Sequence, residues 1–315
     1  MKAVPLPILC VFIAGLLILA QPAQVPTSAL IDSSRLLEDL KVLSADGMQG
    51  RRTGTAGGLK ARSYIVERFK ASGIAPFGIS YEQSFTFRGR TGDERGANVI
   101  GRIDGTQQPR RYIVISAHYD HLGTVNGVVF NGADDNASGT AALFAIARYF
   151  AGKSPRNSLI FAAFDAEELG HHGSLAFVKQ PPVPVQSISL NLNLDMIGRE
   201  PDRRLFVVGT RFQPFLRPAV ETAAATSPVR LIFGHDDPSR PEDWTEDSDH
   251  FSFIRAKIPA LYFGVEDFDQ HHKATDDYET MTHEFYVRAV ETLVKVVEQF
   301  DANLHTIDRA RTLSR

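Results

Sequence analysis

Ile113-Val114-Ile115-Ser116-Ala117-His118-Tyr119-Asp120 is an apolar, largely β-branched run that ends in a histidine and a carboxylate two residues apart. Three further runs end in the same kind of residue. Residues 158–164 lead into Asp165-Ala166-Glu167-Glu168, residues 188–194 into Asp195, and residues 258–265 into a loop holding His271, His272, Asp276 and Asp277. Uninterrupted apolar runs of this length mark strands of a parallel sheet covered by helices on both faces. Open α/β sheets bind ligands beyond the carboxyl ends of their strands. Four strands therefore bring His, Glu and Asp to one edge of one sheet, which outlines a metal site.

The segments around these runs fill in the layers. Residues 34–43 carry Leu36, Leu37, Leu40 and Leu43 at helical spacing behind a Ser/Asp cap region. A glycine-rich turn over 46–55 precedes a helix at about 59–71, with Ala61, Tyr64, Ile65 and Phe69 on one face and Gly73 as its stop. Residues 81–87 and 97–103 read as neighbouring strands. The loop Asn131-Gly132-Ala133-Asp134-Asp135-Asn136-Ala137-Ser138-Gly139 opens a helix of small residues over about 137–150. Residues 199–250 are polar, with a strand at 205–208, a helix near 215–225, a strand at 229–233 and the only tryptophan, Trp244; this segment is expected to wall a pocket. A helix over about 283–300 places Phe285, Ala289, Leu293, Val297 and Phe300 on its core face. The whole predicts an α/β protein, a three-layer α/β/α arrangement with a mixed, mainly parallel central sheet.

Length and composition set the class. The 315 residues suffice to bury a full core in one α/β domain, and 43% hydrophobic with 23% charged residues is ordinary for a globular protein. A net charge of -3 without a basic run gives no sign of a nucleic-acid partner. Lys2 followed by an apolar run over 4–20 predicts a secretory signal peptide at 1–23, a linker at 24–33, the folded domain at 34–300 and a frayed or disordered charged tail at 301–315. Roughly 17 residues interrupted by Pro5 and Pro7 make a poor membrane span. The protein is therefore expected to be exported, periplasmic or extracellular, with no stable membrane association after signal removal. The single cysteine, Cys10, lies in the signal segment, so a metal must be held by His and carboxylates.

That chemistry needs His nitrogen and carboxylate oxygen, and two zinc ions need a shared carboxylate. His118, one of Asp134 and Asp135, Glu167 or Glu168, Asp195, and His271 or His272 supply the set. An isolated His or Asp at a strand end is more often a cap or a solvated group; five convergent segments are not.

Ser116-Ala117-His118-Tyr119-Asp120-His121, Gly132-Ala133-Asp134-Asp135-Asn136-Ala137-Ser138-Gly139, Glu167-Glu168-Leu169-Gly170, Asn193-Leu194-Asp195-Met196 and His272-Lys273-Ala274-Thr275-Asp276 together resemble the M28 family of zinc-dependent aminopeptidases. The likeness runs in the family's order from about residue 36 to 300. It implies two zinc ions, with Asp135 as the bridging carboxylate, His118 and Asp195 on one ion, and Glu168 and His272 on the other. It also implies Glu167 as general base and Asp120 as the carboxylate that orients His118. A peptide or small aminoacyl compound would be the substrate, cut at its amino end. The spacing between residues 81 and 110 leaves no room for the protease-associated insert of some members.

Other residues carry blander expectations. His121 caps its loop, His171 and His172 lie on a solvated face, and Ser248-Asp249-His250 supports the pocket. His271 is able to exchange roles with His272, while His235, His283 and His305 are structural or solvated. Three rival readings remain beside the hydrolase: a one-zinc glutaminyl cyclase on a similar fold, a non-catalytic binding relative and a two-metal phosphoesterase. The complete ligand set and Glu167 disfavour the second. The Glu-Glu-Leu-Gly motif, with no basic cluster for phosphate, disfavours the third.

Overall fold

The computed structural model describes residues 25–90 and 92–313, and the expected signal segment with Cys10 lies outside them. The chain opens with helix α1 (Ser33–Leu43), capped by the Asp32 carboxylate accepting from Arg35 N, and α2 (Ala56–Ala71), capped by Thr55. Strands β1 (Ala75–Pro76), β2 (Glu82–Arg88), β3 (Asp93–Ile103) and β4 (Gln108–His118) follow, then the short hairpin β5 (Gly123–Val125) and β6 (Val128–Phe130). Next come α3 (Gly139–Lys153), β7 (Asn157–Phe164), α4 (His172–Lys179), β8 (Ile188–Leu194) and β9 (Arg204–Val208). The chain continues through α5 (Arg217–Ala224), β10 (Arg230–Phe233), α6 (His250–Arg255), β11 (Ala260–Gly264) and α7 (His283–Leu313).

The central sheet runs β1-β3-β7-β4-β8-β11-β9-β10, with β2 also paired to β3. Its middle, β7-β4-β8-β11, is parallel, and the β3–β7 and β9–β11 pairings are antiparallel. Alternation along the central strands sends residues to two cores. Ile113, Ile115, Leu159, Phe161, Leu190 and Leu192 pack on one face with α1, α2, α3 and α7; Val114, Ile160, Phe164, Phe177 and Phe253 pack on the other with α4 and α6. The expected three-layer, mainly parallel fold is what the chain adopts.

Register decides which strand ends meet. Ser116 pairs with Asn193 across β4 and β8, so His118 and Asp195, each two residues further, come level on the same face. His118 pairs with Phe164 of β7, which places Asp165-Ala166-Glu167-Glu168 directly beyond the same edge. Gly139 lets α3 start against this edge, since a Cβ there would stand 2.4 Å from Leu194 O.

One boundary differs from expectation. The tail expected from 301 onward continues α7 to Leu313. Leu304 and Ile307 extend the apolar stripe into the core, and the buried Asp301 carboxylate accepts from Arg156 N and Asn157 N at 2.8 Å.

Candidate metal centre

His118 is buried at the end of β4 with its Nδ1 3.2 Å from the Asp120 carbonyl oxygen. Because a carbonyl only accepts, Nδ1 carries a proton and Nε2 is the ring nitrogen turned inward. That Nε2 lies 3.1 Å from Asp195 Oδ1 and 3.3 Å from Asp135 Oδ1. Lone pairs facing lone pairs in a buried place require a positive charge between them, either a second proton or a metal ion.

Asp135 is shared. Its Oδ1 faces His118, while its Oδ2 lies 3.3 Å from His272 Nε2, 3.7 Å from His271 Nε2 and 3.6 Å from His121 Nδ1. Glu168 closes the second side, with Oε2 3.0 Å from His272 Nε2 and Oε1 2.6 Å from His121 Nδ1. Three overlapping groups result: His118, Asp135 and Asp195; His121, Asp135 and Glu168; Asp135, His271 and His272. In each, one ligand atom per residue lies within 4.8 Å of the others. All nitrogen and carboxylate oxygen, this donor set fits zinc.

The neighbouring aspartates face different ways. Asp134 turns away from the group, and its Oδ1 accepts from Gly198 N at 2.7 Å. Asp276 holds the loop from beneath, its carboxylate accepting from Asp134 N and Asp135 N at 3.0 Å while pairing with Arg199 at 2.6 Å. Asn136 ties the same loop to β8 by donating to Leu194 O at 2.8 Å.

Asp120 departs from its expected task. It orients His118 through its main-chain carbonyl, and its carboxylate Oδ1 stands 3.8 Å from Nδ1. The carboxylate instead accepts from Glu167 N at 3.0 Å, Glu168 N at 3.4 Å and Thr53 Oγ1 at 3.3 Å. Asp120 thus fixes the turn that carries the two glutamates. Asp195 is fixed as well: its Oδ2 accepts from Ser248 Oγ at 2.7 Å, and Ser248 accepts from Asn193 Nδ2 at 2.9 Å.

Burial and neighbours separate the two glutamates. Burial pushes the Glu167 carboxyl up to about 7, against the pull of His118 and His171. Burial and Asp135 work in the same direction on Glu168, but hydrogen bonds from His121 and His272 bring it below the ordinary range. Asp135 is held well down despite its burial by His121, His118 and His272. His272 is raised to about 10 by its hydrogen bonds to Asp135 and Glu168. Ala166, His171, Met196 and His272 all take left-handed backbone angles, with φ from 55 to 58°. Strained positions of this kind concentrate at functional sites.

The cleft over these residues has a volume of about 480 Å³, and Met196, Trp244, Tyr262, Val265 and Phe268 form its apolar wall. Trp244, stacked on His235 with ring centres 3.8 Å apart, and Asp247 both line the cleft, so the polar 199–250 segment does wall the pocket. His250 is buried outside every ligand group, and His172 stacks on Phe87 away from the cleft.

Three residues do more than sequence reasoning assigns them. His121, expected to cap its loop, has its buried ring against Glu168 and Asp135. His171, expected on a solvated face, lines the cleft 3.2 Å from Glu167. Arg51, from the glycine-rich turn, is fully buried and donates to the carbonyls of Leu43, Tyr119, Asn131, Gly132 and Asp135. For the two histidines the available signal is their place three residues beyond a candidate ligand, His118 or Glu168; for Arg51 there is none in the local pattern.

A three-layer α/β/α arrangement that gathers histidine and carboxylate donors at the carboxyl edge of its sheet is the architecture of the zinc-exopeptidase fold. The model of peptidase family M28 matches residues 98–297, more than half of the chain. The chain belongs to peptidase family M28. It is 28% identical over 200 residues to a probable zinc metalloprotease of Pyrenophora teres f. teres, covering 56% of this chain and 40% of that one. It is 31% identical over 176 residues to leupeptin-inactivating enzyme 1 of Streptomyces exfoliatus, covering 55% and 37%. The chain thus spans less than half the length of these relatives. Among solved structures it is similar to the zinc aminopeptidase BSAP of Bacillus subtilis, with TM-score 0.70, 17% identity, and 89% and 96% of the two chains covered. It is equally similar to the glutaminyl cyclase of Porphyromonas gingivalis, with TM-score 0.71, 18% identity, and 86% and 99% covered. At these identities the structural likeness speaks for the fold.

Proposed function

We propose that this M28 peptidase is a two-zinc aminopeptidase in which Asp135 bridges the ions, His118 and Asp195 complete one site, and Glu168 and His272 complete the other. His121 steadies Glu168 from the side. Zinc bound there would polarise the scissile carbonyl and make a bound water more acidic. Glu167 accepts a proton from the attacking water and returns it to the leaving amine nitrogen, the double task of a general base that faces the cleft. The observation that carries this reading is the opposite environment of adjacent glutamates. Glu168 faces Asp135, His121 and His272, whereas Glu167 faces the cleft outside every ligand group.

Cutting at the amino end is supported by the charge of the cleft. Among the described residues no lysine or arginine lines it, and Asp247 adds a carboxylate to those of the metal groups. Asp247, outside the metal groups, is placed to pair with a free ammonium group. The apolar wall offers room for an aliphatic or aromatic side chain. The likeness to a glutaminyl cyclase keeps cyclisation of amino-terminal glutamine as the alternative.

A panel of aminoacyl-chromophore substrates, assayed with and without chelator on the chain lacking residues 1–23, tests the proposal. Chelator-sensitive hydrolysis of several free-amine substrates is expected, with N-acetylated versions inert. Activity confined to ring closure of glutaminyl substrates would favour the cyclase. We read residues 1–23 as an export signal, so the mature protein should begin between Gln21 and Thr27 on amino-terminal sequencing; intact Met1 in the exported fraction would contradict it.

A further inference from the structure

His171 is the one histidine lining the cleft that belongs to none of the metal groups. Its Nε2 lies 3.2 Å from Glu167 Oε1. The backbone is built to bring it there. Gly170 N and His171 N both donate to Glu167 O, at 2.8 and 2.9 Å, and the two residues take successive positive φ angles of 116° and 57°. The left-handed step folds the imidazole back over the glutamate four residues earlier, just before α4 begins at His172. Few residues other than glycine take this backbone conformation, and histidine is among those that do.

We infer that His171 is a positioning residue for the general base: Nε2–H donates to Glu167 Oε1 and leaves the second carboxylate oxygen for the attacking water. A free carboxyl on a two-torsion stem samples several rotamers. Proton transfer needs one of them, held within hydrogen-bond reach of the water. The Glu167 main chain is already fixed by Asp120, which accepts from its N–H at 3.0 Å, and His171 Nε2 stands 3.2 Å from the carboxyl end. No proton need leave His171 in this role; it acts through Glu167 alone. The inference rests on Glu167 being the base.

The test uses the zinc-loaded chain and leucine p-nitroanilide. His171→Asn accepts the left-handed backbone but is too short to reach Glu167, whereas His171→Gln restores an N–H at nearly the same reach. His171→Asn should lower kcat ~10- to 100-fold, as loss of such a hydrogen-bonding partner does elsewhere, with KM and zinc content little changed. His171→Gln should recover most of the rate. In a Glu167→Gln background, adding His171→Asn should cost nothing further, because the residue it positions can no longer take a proton. Undiminished kcat in His171→Asn, a glutamine variant no better than asparagine, loss of zinc, or an equal loss in both backgrounds would each overturn the inference. Full activity in Glu167→Gln alone would instead overturn the assignment of the base.

Discussion

Arg51 Nε donates to the Tyr119 carbonyl at 2.8 Å, one residue beyond His118, while its Nη2 donates to Gly132 O at 2.8 Å and Asp135 O at 3.4 Å. One buried guanidinium thus ties together the two loops that carry the first histidine and the shared aspartate. Burial lowers it to about 10, and Asp135, Asp276, Asp120 and Glu168 oppose that, so it stays charged at neutral pH. Arg51→Met should destabilise the fold by about 3–5 kcal/mol, because a buried cation and the pairing of several carbonyls are lost together. Urea unfolding measures this. A loss below about 1 kcal/mol would mean that water replaces the guanidinium.

The candidate ligands on the sheet edge are legible because buried parallel strands write themselves as unbroken apolar runs, and parallel strands end at one edge. His118, Asp195 and the Glu-Glu pair followed from that alone. Arg51 was not legible, since its partners lie 8 to 84 residues away in the chain and are main-chain oxygens, which leave no residue pattern. Asp120 lies beside His118 in the sequence, but its carboxylate serves the amides of 167 and 168, a choice made by side-chain rotamers. Rotamer and backbone sign also decide His171, whose ring enters the cleft only because its φ is positive. The charge of the 301–315 segment masks the end of α7, where Leu304 and Ile307 keep the three-residue helical spacing.

Asp135 faces His118 through one oxygen and His272 through the other. Asp135→Ala should therefore release both ions together, and elemental analysis of the purified variant should find neither. Retention of one ion would demote Asp135 to a ligand of a single metal.

His250 is fully buried and its ring is held down to about 3, chiefly by burial and then by His171. An unfolded histidine titrates near 6.5. Below that pH the unfolded chain takes up a proton that the native ring refuses until about 3. Native stability is thus intact above 6.5 and declines as pH falls across this window, by up to ~1.4 kcal/mol per pH unit. His250→Leu should flatten that slope. Urea unfolding of both proteins between pH 7 and 4, with metal removed from both, gives the difference. Parallel curves would show that native His250 is protonated like an exposed ring.

Glu167 and Glu168 share a turn but face different partners. The carboxylate of Glu168 lies 3.0 Å from His272 Nε2, and that of Glu167 lies 3.2 Å from His171 Nε2. Glu167→Gln keeps size and shape without a proton acceptor of useful basicity. It should hold metal and substrate nearly normally while kcat falls ~10²- to 10⁴-fold, the worth of a positioned acid–base group. Glu168→Gln weakens one metal site instead, so its rate should be low at limiting zinc and partly recover in excess. Metal content and kcat of both variants across a zinc titration separate the roles. If Glu167→Gln loses metal while Glu168→Gln keeps it and is inactive, the two assignments are exchanged. If both keep metal and full activity, neither glutamate serves hydrolysis, and the two-zinc mechanism built on this turn fails.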